Sequence, residues 1–293
     1  MDSNSSVINL GDLSKPATVL IEKISDAVGG LFKPHQIVRV AKAEAEAELI
    51  RAESRIQISD LQQRAFYRFL EEEAKKQKNI EEIARQALPQ LHENSKPEAV
   101  EDDWIVNFFD KCRLISDSQM QSLWSRVLAG EANSPGSYSK RTVNFLSSLD
   151  KNDAELFTEL CTFNWMIEEF APLIYDVENE IYKKHKITFV TLKHLDSIGL
   201  LQFEALVCYN RGGLPKKFVV QYYGTPTVLE FHKESENEMD VGHVILTSIG
   251  SELAQICGSC SDAEFREYTL KKWRGMGYIN KEGTEQTIPA DGL

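Results

Sequence analysis

The chain has 293 residues, of which 42% are apolar, 27% charged and 9% aromatic, with 16 Gly and 9 Pro. This is a globular composition with length for about two domains, and it excludes collagen-like, low-complexity and small disulfide-stapled classes. Lys and Arg total 33 against 45 Asp and Glu, a net charge of −12, which disfavours a diffuse grip on nucleic-acid phosphates unless positive charge is concentrated locally.

The first residues, Met1-Asp2-Ser3-Asn4-Ser5-Ser6, are polar and acidic where a secretory leader places positive charge before an apolar core. No apolar run reaches the length of a membrane span, the richest stretch being broken by Glu22, Lys23, Ser25 and Asp26. The cysteines number five, an odd count, and Cys112, Cys161 and Cys208 lie in apolar surroundings, as buried thiols of a reducing compartment do. The expected location is cytoplasmic, with a peripheral membrane contact as a variant.

Residues 14–32 are expected to form an amphipathic helix, with Ser14 as N-cap, Pro16 in the first turn and Val19, Leu20, Ile24, Val28, Leu31 and Phe32 at helical spacing. Its apolar face suits docking on the rest of the protein, and lying in a membrane interface is the sharper alternative. Gly29-Gly30 and Pro34 end it. From Gln36 to Leu88 there is neither Gly nor Pro, and Ala41 to Glu48 alternates strong helix formers, so one long helix is expected.

Heptad positions counted from Leu49 run through Ala52, Ile56, Ser59, Gln63, Phe66, Leu70, Glu73, Gln77, Ile80, Ala84 and Ala87, a coiled-coil seam interrupted by polar pairs. A second file, Ile50, Ile58, Leu61, Ala65 and Phe69, suggests that the middle of the helix is covered on more than one side. Charges balance over 39–90, with Glu71 and Glu72 four residues ahead of Lys75 and Lys76.

Asn94-Ser95-Lys96-Pro97 reads as a hinge into a helical unit. Glu101-Asp102-Asp103 suits the first turn of a helix, where the dipole favours carboxylates, better than a metal cluster. Ser116 to Gln119 reads as a capping box for a helix carrying Met120, Leu123, Trp124, Val127 and Leu128, which should stop near Gly130. Asn133 to Ser137 is a turn, Ser139 opens a helix to Leu149, and another covers Ala154 to Phe163.

Further on, a short helix ending at Gly199 precedes a strand from Gln202 to Tyr209, with Arg211-Gly212-Gly213 as a hairpin turn into Lys217–Tyr223 and a further strand from Thr227 to His232. His243 to Leu246 is a last strand, and Thr247 caps a helix over Glu252 to Ile256. Helix, helix, hairpin is a winged-helix-like order. Residues 150–293 carry 14 basic and 23 acidic groups, so a groove-reading helix around Thr191, Lys193 and His194 is disfavoured.

Cys257-Gly258-Ser259-Cys260 is the one CxxC. With no second pair, and with His232 and His243 eleven residues apart, a helix end with two incidental thiols is favoured over zinc or a redox pair. No phosphate-loop, dinucleotide, zincin or nucleophile-elbow pattern occurs. No catalytic, cofactor-binding or metal-binding residue is therefore assigned.

The stretch Leu123-Trp124-Ser125, Leu128-Ala129-Gly130-Glu131-Ala132, Pro135-Gly136, Ser139 and Arg141-Thr142 resembles the signature of an uncharacterised bacterial domain-of-unknown-function family, over most of the chain. Leu128 to Ala132 together with Lys15-Pro16-Ala17 is also similar to abortive-infection-associated proteins, which implies a role in anti-phage defence. Read as packing, Trp124 and Leu128 bury one helix face and Arg141 pairs with Glu131 across the turn.

The expected fold is mainly α, with a long N-terminal helix and a central helical unit followed by a C-terminal α+β winged-helix-like unit. The expected divisions are 1–35, 36–90, 91–165 and 166–293. The expected function is a non-enzymatic sensor or effector in bacterial anti-phage defence, acting through self-association and a protein partner, with membrane contact through 14–32 as a further possibility. The interaction residues are Leu49, Ile56, Phe66, Leu70, Trp124, Leu128, Glu131 and Arg141. A nucleic-acid-binding regulator using the C-terminal unit is the alternative.

Overall fold

A computed structural model describes residues 13–29 and 59–279. Leu49, Ile56, Ile50, Ile58, the Ala-Glu run at 41–48 and the Gly30 to Pro34 helix end lie outside the described residues. The chain divides into two compact units after Ser148, whereas the sequence suggested a border after 165, a position that falls inside a strand.

In the first unit, α1 (Lys15–Val28) is capped by Ser14, whose hydroxyl accepts the Ala17 amide at 3.4 Å, and it ends at Gly29 in the left-handed region. Its apolar face, Ala17, Leu20, Ile21 and Ile24, is buried against α3 (Asp102–Cys112) and the 3-10 turn Pro97–Ala99. Lys23 donates to the Glu98 carbonyl at 3.0 Å and pairs with Asp102 at 3.2 Å. The described apolar face is therefore occupied within the unit at Ala17, Leu20, Ile21 and Ile24, and no described helix is long and apolar enough to cross a bilayer.

A helix begins at α2 (Asp60–Ala87) with Ser59 as its cap: Ser59 has extended backbone, its side chain accepts the Gln62 amide, and Gln62 accepts the Ser59 amide. A single uninterrupted helix from 36 to 88 is thus corrected, because this reciprocal box fixes a start at the polar step of the heptad file. Charge pairing also takes another register: Arg64 with Asp60, Arg68 with Glu72 and Lys76 with Glu73. The two arginine pairs are exposed and contribute little, and Lys76 is half-buried.

The buried residues of α2 are Ile80, Ile83, Ala84 and Ala87, which pack on α4 (Ser118–Asn133). Asn79 donates to the Arg113 carbonyl at 2.9 Å, and Gln121 to the Ile115 carbonyl at 2.9 Å, closing the polar edge of this contact.

Asp117 caps α4, accepting the Gln119 and Met120 amides at 3.0 Å, one residue later than the expected box. The helix also runs through Gly130 to Asn133. Gly130 serves close approach, since a Cβ there would lie 2.5 Å from Cε2 of Tyr138. Gly130→Ala is accordingly expected to lower stability by about 1–3 kcal/mol, as overpacked core sites do, read as a lower denaturant midpoint. An unchanged midpoint would show that the Tyr138 ring moves aside freely. Ser139 then caps α5 (Lys140–Leu146) by accepting the Thr142 amide at 3.2 Å.

The core between these helices is aromatic. Trp104 and Phe108 stack with centroids 5.0 Å apart, Trp124 meets Phe108 edge-on at 5.1 Å, and the Trp104 indole donates to the Tyr138 carbonyl at 2.6 Å.

The second unit combines helices with small antiparallel sheets. After α6 (Lys151–Cys161), β1 (Asn164–Ile167) and β2 (Glu169–Pro172) form a hairpin, and α7 (Glu180–Lys183) and α8 (Phe189–Ser197) follow. The strands β3 (Leu201–Phe203), β4 (Tyr209–Leu214), β5 (Lys217–Tyr222), β6 (Thr225–Glu230), β7 (Asn237–Gly242) and β8 (Val244–Leu246) precede α9 (Ser248–Ala254) and α10 (Ala263–Gly275). The sheet orders are β2-β1-β5-β6, β3-β8 and β4-β7.

Arg211-Gly212-Gly213 lies inside β4 and pairs with β7 across a register shift, which corrects the expected turn. Glycines in a strand mark such irregularities as well as turns. The hairpin turn is instead Tyr223-Gly224, with φ of 47° and 78°, the left-handed pair that a two-residue connection needs. The core of this unit packs Trp165 against a tilted Tyr222, at 5.0 Å, and edge-on against Trp273, at 4.5 Å, and Trp273 donates to the Tyr175 hydroxyl at 2.9 Å.

Candidate functional site

The two ends of α2 behave differently. Along the heptad file, Ile80, Ala84 and Ala87 are buried and Phe66 and Leu70 are half-buried. The described part of the second file is open: Leu61 is 69% and Phe69 56% exposed, Ala65 is exposed between them, and Tyr67 nearby is 49% exposed. Within the described residues of this chain, no element covers Leu61, Ala65 and Phe69. Apolar periodicity does not say whether the covering surface lies within the same chain or on a partner.

The other interaction residues have structural roles in the first unit. Trp124 and Leu128 are buried in the aromatic core. Glu131 is buried too, and its carboxylate accepts the Gly136 amide at 2.7 Å and the Tyr138 amide at 2.9 Å. Arg141 is exposed on α5. The cross-turn ion pair is replaced by carboxylate-to-backbone bonds that hold the loop 134–138.

The second unit holds two polar arrangements. A cavity of about 300 Å³ is lined by Asn164, Gln221 and Gln255 with Met166, Phe170 and Tyr223. Alternation places Asn164, Met166, Phe170 and Gln221 on one face of the sheet, because Met166 pairs with both Phe170 and Gln221. Among the described lining residues, none is an acid or a base of the Asp, Glu, His, Lys or Arg type. Tyr223 spans the rim, its hydroxyl lying 3.1 Å from the Cys161 carbonyl oxygen, which it can donate to, and 2.6 Å from the Ser259 hydroxyl, and burial pushes its phenol well up. Deep proton transfer at neutral pH has no obvious agent there.

The second arrangement surrounds Asp262, the N-cap of α10. Its carboxylate accepts the Glu264 amide at 2.8 Å and the Phe265 amide at 3.2 Å, pairs with Lys184 at 2.7 Å, and meets Nε2 of His185 at 3.0 Å, while Nδ1 of His185 meets Glu159 at 2.6 Å. Burial alone would raise the Asp262 pKa, but the Lys184 and His185 bonds and the two amides bring it down to about 2.

A carboxyl held below its unfolded value stabilises the fold while ionised, so this contribution is present above about pH 4 and is lost as pH falls toward about 2. After solvent screening it is worth on the order of 1 kcal/mol. Asp262→Asn should flatten the fall in urea midpoint over that window, and parallel curves for the two proteins would contradict this.

The polar side chains of the expected reading helix are engaged locally. Thr191 and Thr188 form a capping box, Lys193 donates to the Phe203 carbonyl at 3.2 Å, and His194 pairs with Asp153 at 2.7 Å. The two CxxC thiols follow α9, with Cys257 half-buried and Cys260 exposed. Among the described residues, no group of three or more His, Cys, Asp and Glu is arranged to hold a metal ion. Cys112 and Cys161 are buried as expected, whereas Cys208 is only half-buried, because the short segment 204–208 before β4 lies at the surface.

Residues 63–270 match the model of a family described as a protein of unknown function, DUF2806. No curated protein and no solved structure matches the chain.

Proposed function

The chain belongs to the DUF2806 family, and from the open file on α2 we propose that it is a non-enzymatic association module, serving as a sensor or effector in bacterial defence against phage. The observation that carries the association is the exposure of Leu61 and Phe69, 69% and 56%, on a 28-residue helix whose buried residues start at Ile80. Covering each such side chain contributes about 1.5–3 kcal/mol.

The partner that fits is a second copy of α2 lying antiparallel. Arg64 and Arg68 precede Phe69, and Glu71, Glu72 and Glu73 follow it. A two-fold axis near Phe69 therefore sets each basic turn against the other copy's acidic turn, as a self-complementary interface requires. The defence setting comes from the similarity of Leu128 to Ala132 and Lys15 to Ala17 to abortive-infection-associated proteins.

Sedimentation velocity over a concentration series tests the association. Wild type is expected to shift from monomer to dimer, Phe69→Glu to stay monomeric, and Arg64→Glu with Arg68→Glu to dimerise at least tenfold more weakly. A wild-type monomer throughout would overturn the reading. In cells challenged with phage, Phe69→Glu is expected to lose whatever protection wild type gives, and equal protection would separate defence from association.

A further inference from the structure

Cys208 and His243 are 35 residues apart in sequence, and the second unit brings Sγ of Cys208 to 3.6 Å from Nε2 of His243. The other ring nitrogen settles the tautomer. Nδ1 of His243 lies 2.8 Å from the Glu204 carbonyl oxygen and 3.2 Å from that of Val207. Carbonyl oxygens only accept, so Nδ1 carries the proton in the neutral ring and Nε2 presents its lone pair to the thiol. A nucleophile, a base within reach of its proton, and a third group orienting the base are the elements of an activated thiol.

The surroundings keep the proton on sulfur at rest. Burial pushes the Cys208 thiol up and Asp240 adds to this, while Lys272 on α10 pulls the other way. The Asp240 carboxylate is fixed nearby by the Gly242 amide at 2.7 Å. Transfer to His243 therefore accompanies attack instead of preceding it. The thiol is reachable: Cys208 and His243 are half-buried, and Leu206 and Val207 beside them are 95% and 66% exposed.

We propose that Cys208 and His243 form a base-assisted thiol that exchanges with small disulfides. Sulfur attacks one sulfur of the disulfide while its proton passes to Nε2 of His243. The new S–S bond forms as the old one breaks, and the departing thiolate takes the proton back from the imidazolium. Cys208 and one half of the reagent end in a mixed disulfide, and the other half leaves as a thiol. This class of electrophile fits because exchange runs in line and develops no oxyanion, so the thiol, the base and an open approach suffice.

The test treats the full chain with oxidised glutathione across a pH series and follows each cysteine by peptide mass spectrometry. At neutral pH, below the range in which an unperturbed thiol ionises unaided, Cys208 is expected to react at least tenfold faster than exposed Cys260. His243→Gln is expected to slow Cys208 at least tenfold at neutral pH and to converge with wild type in alkali, where the thiol ionises unaided. A merely structural histidine would not produce that convergence. A Cys208 rate that rises only in the alkaline range overturns the proposal in the unmutated protein, so the test survives if the variant fails to fold. Equal rates for wild type and a folded His243→Gln at neutral pH overturn it as well.

Discussion

Trp124→Ala is expected to cost about 3–5 kcal/mol, the range for emptying an aromatic site in a close-packed core. The side chain is fully buried, and its edge-on contact with Phe108 links α4 to the stacked pair Phe108 and Trp104 on α3. Deleting it opens a void that neither helix can close, because α3 is also held by the Trp104 bond to the Tyr138 carbonyl. Trp124→Phe separates packing from polarity. The Trp124 indole N–H is buried without a protein partner, so phenylalanine loses some volume yet removes a donor whose burial costs about 1–3 kcal/mol. The expected loss for phenylalanine is below half that for alanine, measured by urea denaturation followed by far-UV circular dichroism. Equal losses for the two would mean that a feature of the indole that phenylalanine lacks, and not the filled volume, sets the stability of this core.

The local rules of the chain were legible where one side chain decides one backbone feature. Ser14, Ser139 and Thr247 were readable as helix caps, and each accepts the amide expected of it. The apolar stripe of α4, with Met120, Trp124, Val127 and Leu128 buried, followed from helical spacing. What was not legible depends on groups distant in sequence. Gly130 reads as a stop, yet its role is set by the Tyr138 ring eight residues on. Gly212 and Gly213 suit a turn, and only pairing with β7 makes them part of a strand. Cys208 reads as a buried thiol because nothing local announces His243. The apolar file Leu61, Ala65 and Phe69 was visible, but spacing is the same whether the covering surface lies within the chain or on another copy.

Glu131 provides the second large effect, and it decides between two accounts of the Ala-Gly-Glu-Ala signature. If the carboxylate served an ion pair with Arg141, removing either partner would matter. In the structure Oε1 accepts the Gly136 amide and Oε2 the Tyr138 amide, and the side chain is buried while Arg141 is exposed. Glu131→Ala leaves two amides of the loop without their acceptor, and bonds to a charged group are worth about 1.5–3 kcal/mol each, so the expected loss is about 3–5 kcal/mol. Glu131→Gln keeps one acceptor oxygen but turns an NH₂ toward the second amide, so it should recover less than half of that loss. Arg141→Ala should stay within about 0.5 kcal/mol of wild type, as exposed substitutions do. The Glu131→Ala, Arg141→Ala double-mutant cycle should show no coupling beyond about 0.5 kcal/mol. A coupling above about 1 kcal/mol in that cycle would restore the ion pair as the reason for both residues.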